Sequence, residues 1–478
     1  MTKAYKKIVL PILLLAALLS TAFSAYPPER EPLRQTLSTG TAVSLSDIHF
    51  DPFFDSSLLN DLIAADATKW QAIFAGSSVQ GYGANNFDTN YTLLNSTLEN
   101  VYKQAPNPDF IIISGDFLRH DFQKTYRDSV PNSDTQAINT FISKTISFVT
   151  GMIAARFPNT PVYPALGNND SYCGDYNDEP GGKFLSATAQ TWQTLIKDPA
   201  NASSFMKTFP MLGAYSIIAP TSKTHRVIVL NSNFFSRKYY NACGNPHVQP
   251  AHDEMNWLDN ELQSAAAKQE QVWLLYHILP GVDVFTSVQN SNKTHTLQAV
   301  AQWNETYLQQ FTDLMTKHSS TIVGSFAGHI HKDGFELVQS KHKPSVYVHI
   351  TPAISPVYGN NPGFQVLTFN RQSAVLSDYS AFYVDIKSAA AQKNDPIDWP
   401  LEYAFSKSYG QTEITPTTLQ SIHDGLLKNQ SGYLTNYERY YNVNSSLTIN
   451  KTNLIPYWCG MIYLMKADYL NCVKAGGK

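Results

Sequence analysis

The chain has 478 residues, 43% of them hydrophobic and 12% aromatic, enough for one large domain with an appendage or for two domains. Charged residues make up only 15%, below the roughly 25% of an average soluble chain, so the surface is rich in Asn, Ser, Thr, Gln and Tyr. The net charge of -3 comes with no Lys/Arg block, which argues against a duplex nucleic-acid surface and against a polybasic membrane patch.

Lys3, Lys6 and Lys7 precede an apolar run over residues 8–23, and Ala22 and Ser24 are small residues where a signal peptidase inspects the chain. Residues 1–24 therefore read as a secretory signal peptide, and a secreted or extracytoplasmic location follows. The run falls short of the ~20 residues of a comfortable span, and no later stretch reads as transmembrane, so no membrane insertion of the mature chain is expected. Residues 26–40, rich in Pro and charge, read as a surface leader.

A short strand over residues 41–45 runs into Asp47-Ile48-His49, and residues 92–102 have helical spacing of apolar side chains. Residues 109–114 form an apolar run typical of a strand buried on both faces, ending in Gly115-Asp116. A helix is predicted over residues 133–157, then a strand over 162–166 that delivers Gly167-Asn168-Asn169-Asp170. After an insertion over residues 171–213, strands at 226–230 and 272–276 end in Asn231 and His277, with an amphipathic helix opening at Trp257 between them. The strand around Val323 ends in Gly328-His329-Ile330-His331, where alternation along an extended chain lets both imidazoles face one site.

Alternating strand and helix predict an α/β fold with largely parallel central strands, whose ligands bind at the carboxyl ends of strands. Strands over residues 345–349, 364–369 and 374–383 are consecutive and are expected to pair antiparallel and complete a second sheet. Residues 25–385 thus read as the catalytic domain and 386–478 as a Tyr-rich, mostly helical C-terminal region whose aromatic residues pack the core. Of the three pairings open to four cysteines, Cys173 with Cys243 and Cys459 with Cys472 are preferred, because the first two sit in polar loops and the last two close a short one. Asn-x-Ser/Thr sequons, among them those at Asn90, Asn95, Asn201, Asn292, Asn304, Asn429, Asn444 and Asn450, mark surface loops if the chain is glycosylated.

The strand ends together supply Asp47, His49, Asp116, Asn168, His277, His329 and His331. Mixed imidazole and carboxylate donors suit Zn, Mn or Fe better than Ca or Mg, and seven groups are too many for one tetrahedral ion. Two divalent metals are expected, with Asp116, on the most buried strand, as the shared carboxylate and a water between the cations as nucleophile.

Asp-x-His, Gly-Asp, Gly-Asn, His and Gly-His-x-His in this order resemble the calcineurin-like metallophosphoesterases. Within them the surroundings are similar to the acid sphingomyelinase-like phosphodiesterases: His120-Asp121 after Gly115-Asp116, Asn231-Ser232-Asn233, His277-Ile278-Leu279-Pro280-Gly281, Asn361-Pro362-Gly363-Phe364, and Trp399 with Tyr403. The resemblance implies a two-sheet α/β sandwich and zinc as the metal. It implies that Asp47, His49 and His331 hold one ion and Asn168, His277 and His329 the other, with Asp116 shared. It also gives His120 the role of acid for the leaving group and Asn168 that of a phosphoryl contact. One position departs from the pattern: Asn169 stands where the family carries a histidine, so it can donate a hydrogen bond to a phosphoryl oxygen but cannot deliver a proton. Purple acid phosphatases match less well, since Arg119 stands where they carry a metal-bound tyrosine.

The expected activity is hydrolysis of a small phosphoester by a chain expected to be monomeric. Nucleotides come first, because no lipid-presenting module is expected between the signal peptide and Asp47. Sphingomyelin, through its phosphocholine head group, is the alternative, and a non-catalytic binding protein on the same fold is the rival that Asn169 suggests.

Overall fold

The computed structural model describes Met1 and residues 38–241, 243–244, 250–340, 343–391, 397–446 and 448–477. The expected signal peptide and most of the leader lie outside the described residues, as do His247 and His342.

Short β-branched and aromatic runs build two six-stranded sheets. The strands in chain order are β1 (Thr39–Leu45), β2 (Phe110–Ile113), β3 (Val162–Pro164), β4 (Tyr215–Ile218), β5 (His225–Val229), β6 (Gln271–Leu275), β7 (Ile322–Ala327), β8 (Gly334–Ser340), β9 (Lys343–Ile350), β10 (Gly363–Asn370), β11 (Leu376–Tyr383) and β12 (Leu401–Ala404). The first sheet runs β12-β11-β10-β1-β2-β3 and the second β4-β5-β6-β7-β9-β8. Parallel pairing holds through the centres, β1-β2-β3 and β5-β6-β7-β9, and the flanking strands are antiparallel. The α/β expectation therefore stands.

The three late strands do not form one sheet. β10 and β11 pair antiparallel with each other and join the first sheet through β1, while β9 enters the second sheet parallel to β7 and antiparallel to β8. Sequence proximity suggested a meander, but β8, which carries the charged Glu336 at its centre, takes the hairpin position beside β9.

Between the sheets, Phe110 from the first packs edge-on against Trp273 from the second, and the Trp273 Nε1–H donates to the Ala374 carbonyl at 2.8 Å. The helix Thr135–Arg156 is long and apolar enough to cross a bilayer. It instead buries Ile138, Phe141, Ile142, Thr145, Phe148, Val149 and Ile153, the face its spacing predicted, in the core. Tyr403, Tyr409, Tyr433, Tyr437 and Tyr441 of the C-terminal region are buried, as expected of core residues. Both expected disulfides are formed, Cys173–Cys243 and Cys459–Cys472. The sequon at Asn90 does not mark a surface loop: its side chain is buried, capping the helix Tyr91–Gln104 by accepting from Leu93 N.

Register aligns the ends that matter. Leu45 lies level with Ile113, and Ile113 with Pro164; in the second sheet Leu275 lies level with Phe326. The residues that follow these positions leave both sheets at one edge and meet there.

Candidate metal centre

Asp47, His49, Asp116, His329 and His331 all have φ between 43° and 71°. Left-handed backbone at five non-glycine positions is costly, and its concentration at one edge marks a functional site. The glycines of the motifs let these turns approach one another. A Cβ on Gly167 would overlap the Asp116 carboxylate, and one on Gly328 would overlap Ser46 Oγ and Asp47 Oδ2.

The seven predicted donors converge. His49 Nε2 lies 3.1 Å from His331 Nε2 and 3.3 Å from Asp116 Oδ2, and His331 Nε2 is 3.3 Å from Asp47 Oδ1. On the other side His277 Nε2 lies 3.1 Å from Asp116 Oδ2, 2.9 Å from Asn168 Oδ1 and 3.3 Å from His329 Nδ1. One oxygen of Asp116 thus faces both groups. His329 and His331 do not share a face, because left-handed backbone at both breaks the alternation of an extended chain; each turns to a different group.

The chemistry of these contacts fits cations. The His277 Nδ1–H donates to the Ser114 carbonyl at 2.6 Å, and that of His49 to the Leu118 carbonyl at 2.9 Å. With these rings neutral, their Nε2 atoms are bare acceptors aimed at further acceptors, an arrangement that is repulsive unless a positive charge, a proton or a metal ion, lies between them. The titration directions express the same demand. Burial pushes His49 and His277 down, but Asp116 and Asp47 outweigh it and hold them up at about 10 and about 9. Burial, with the charge on those two rings, pushes His329 down to about 3 and His331 to about 4. Bound divalent ions would meet the demand with all four rings neutral.

Further residues hold the donors in place: the sequence reading missed Asp175 and the role of Asp170, and it aimed Asn169 at a phosphoryl oxygen, whereas its amide meets Asp116. The Asn168 Nδ2–H donates to Asp175 at 2.6 Å, which turns its Oδ1 toward His277. Asp170 accepts from Phe117 N, Leu118 N and Gly167 N, tying the Gly-Asp turn to the Gly-Asn turn. Asn169 donates to Asp116 through its backbone N–H at 2.8 Å and its side-chain amide at 3.0 Å, so its amide is turned to the carboxylate.

His120 stacks on His49 with ring centroids 4.0 Å apart, and its Nδ1–H donates to Asp88 at 3.0 Å. Asp88 also accepts from His120 N at 3.0 Å and from the Ser355 hydroxyl at 3.0 Å. Burial would raise the Asp88 carboxyl, yet His120 and His49 outweigh it and hold it well below the usual carboxylate range. The Nε2 of His120 is left facing the site, where the Tyr358 hydroxyl meets it at 3.1 Å. Tyr176, whose hydroxyl lies 3.3 Å from His329 Nε2 and accepts from Lys238 Nζ at 3.2 Å, closes the opposite side. Only long-range contact brings in Asp88, Tyr176 and Tyr358; none follows a strand-end motif.

Imidazoles and carboxylates gathered at the carboxyl edge of a two-sheet sandwich define a metal-dependent phosphoesterase. The family model for calcineurin-like phosphoesterases matches residues 42–333, and the chain belongs to that family. Residues 338–478 match the acid sphingomyelin phosphodiesterase C-terminal region, which makes the chain an acid sphingomyelinase-like phosphodiesterase. It is 26% identical to the mouse (Mus musculus) cyclic GMP-AMP phosphodiesterase SMPDL3A, over 94% of each chain. It is 25% identical to the human (Homo sapiens) acid sphingomyelinase-like phosphodiesterase 3b, over 91% of this chain and 90% of that protein. With the sphingomyelinase phosphodiesterase D of Dictyostelium discoideum it shares 28% identity over 75% of each chain.

Proposed function

We propose that the protein is an extracytoplasmic phosphodiesterase that uses two divalent metal ions, zinc foremost, and acts first on nucleotides. The observation that carries the reading is the pair of donor groups meeting at Asp116 Oδ2, with a cavity of about 380 Å³ opening beside His329. That volume suits one mononucleotide or head group, at the lower end of the range of small-molecule sites. Two disulfides support an oxidising compartment. Several relatives bear the name cyclic GMP-AMP phosphodiesterase, which favours nucleotides; others are named sphingomyelinases, which keeps the phosphocholine ester as the second reading.

Asp47, His49 and His331 would hold one ion and Asn168, His277 and His329 the other, with Asp116 between them. Ions bound there would supply Lewis acidity, lowering the pKa of a water and drawing charge from phosphoryl oxygens. The residues do the rest. Asn169 steadies Asp116, and Asp175 fixes the orientation of Asn168. As the water, its proton lost to solvent, bonds through its oxygen to phosphorus and the bond to the leaving group breaks, His120 gives its Nε2 proton to the departing oxygen, and Asp88 holds the ring for that transfer. The metal ligands are all kept, which disfavours a non-catalytic binding protein.

Parallel assays on ATP, a cyclic dinucleotide and sphingomyelin liposomes test the substrate class. Turnover of the nucleotides is expected, and preference for the liposomes would overturn it.

A further inference from the structure

The cavity beside His329 is also lined by Tyr358 and by the aromatic side chains of Phe335, Tyr437, Tyr441 and Tyr457. Glu336 of β8 lines it. Glu336 is 7% exposed, its Oε2 is sealed from solvent without a hydrogen-bond partner, and no cation pairs with it among the described residues. Burial alone pushes its carboxyl well above the usual range. A buried carboxyl with nothing to accept from costs stability, and one that lines a cavity can recover that cost from a ligand that donates to it. The other charged groups on the cavity are already engaged: Lys238 Nζ donates to the Tyr176 hydroxyl at 3.2 Å, Lys332 Nζ donates to Asn442 at 2.5 Å, and Asp283 accepts from Thr286 N and its hydroxyl.

We propose that this cavity is a nucleobase subsite in which the tyrosine wall packs against the flat ring and Glu336 accepts from the base's N–H edge, favouring guanine. The inference rests on the nucleotide reading above. Among the bases, guanine presents two adjacent donors, the ring N1–H and the exocyclic amino group, which match the two oxygens of one carboxylate once a turn of the side chain brings Oε2, sealed in the free protein, to the cavity. Two such bonds also favour the ionised form of the carboxyl and offset the cost of its burial. Hypoxanthine lacks the amino group and leaves one oxygen unmet. A site built to take a donor rejects an analogue that lacks it.

The test compares GTP with ITP, which differ only in that amino group, on the zinc-loaded full-length protein and on Glu336→Gln. Metal content and the melting curve check that the variant folds. The wild type is expected to favour GTP over ITP by about tenfold in kcat/KM, chiefly through KM. In Glu336→Gln, which keeps one acceptor and loses the charge, the ratio falls toward one. Equal kcat/KM for GTP and ITP in the wild type overturns the subsite and leaves the nucleotide reading standing. If neither nucleotide is turned over while p-nitrophenyl phosphorylcholine is hydrolysed, the nucleotide reading fails and takes the subsite with it. A loss in Glu336→Gln confined to p-nitrophenyl phosphorylcholine also overturns the subsite, since the carboxyl would then serve an ammonium group.

Discussion

Replacing Asp88 by Asn separates the positioning of His120 from everything else at the site. Asp88 lies 32 residues before His120 and is not itself placed on the substrate; it acts through His120, accepting both its Nδ1–H and its backbone N–H, each at 3.0 Å. Asparagine keeps the shape and one acceptor but loses the charge. The charge-assisted bond contributes about 1.5–3 kcal/mol, and if that difference falls on the transition state, kcat drops about 10- to 100-fold. The loss depends on the leaving group. With bis(p-nitrophenyl) phosphate, whose leaving group departs without a proton, the drop should be small; with an alkyl or nucleoside leaving group it should be full. His120→Ala should keep its metal, lose most activity on the poor leaving group, and mask Asp88→Asn in the double variant. Equal losses on both substrates, or additive effects of the two substitutions, would refute the positioning role.

Asn169→Ala removes an amide donor from Asp116, and outer contacts of this kind are worth 10- to 100-fold in metal affinity, so about tenfold weaker zinc binding is expected in a chelator competition; unchanged affinity would contradict it. Asp178 gives a pH test of stability. Burial pushes its carboxyl up from 3.8 to about 6, despite the amides of Asn231 and Asn233. A raised folded-state pKa contributes stability that is fully present below 3.8 and lost as pH rises through about 6, at most about 3 kcal/mol for this group. Chemical unfolding of the metal-loaded protein between pH 4 and pH 7.5 should therefore have a steeper acid-favouring slope than that of Asp178→Asn; identical slopes would count against the assignment. Opening the Cys459–Cys472 bridge, whose ends are 13 residues apart, with paired serines should cost about 3 kcal/mol in the same assay.

The candidate metal centre was legible because each donor sits within four residues of a strand's carboxyl end, so a local apolar run announces a polar turn. Asp47, Asp116, Asn168, His277 and His329 all follow that grammar. The groups that aim the donors follow none. Asp88 belongs to a loop without periodicity, and Tyr358 meets His120 across 238 positions of sequence. The sheets were legible in their parallel centres, where β2 and β6 are apolar runs. The edges were not: β12 has four residues, one of them charged, and β8 carries Glu336 where a strand pattern wants an apolar residue. Asn169 could be read as a departure from the family pattern, but its turn toward Asp116 depends on Gly167 letting the two loops approach, which is a property of the fold.

The central claim is that the donors around Asp116 hold two divalent ions and that hydrolysis needs both. The most direct measurement is metal content by mass spectrometry alongside bis(p-nitrophenyl) phosphate turnover, during chelation and stepwise return of zinc, for the wild type and Asp116→Asn. Two equivalents per chain, activity restored only with the second, and a variant that holds fewer and turns over nothing are the expected results. A chain that reaches full activity with one equivalent, or an Asp116→Asn variant that keeps two, would contradict the account.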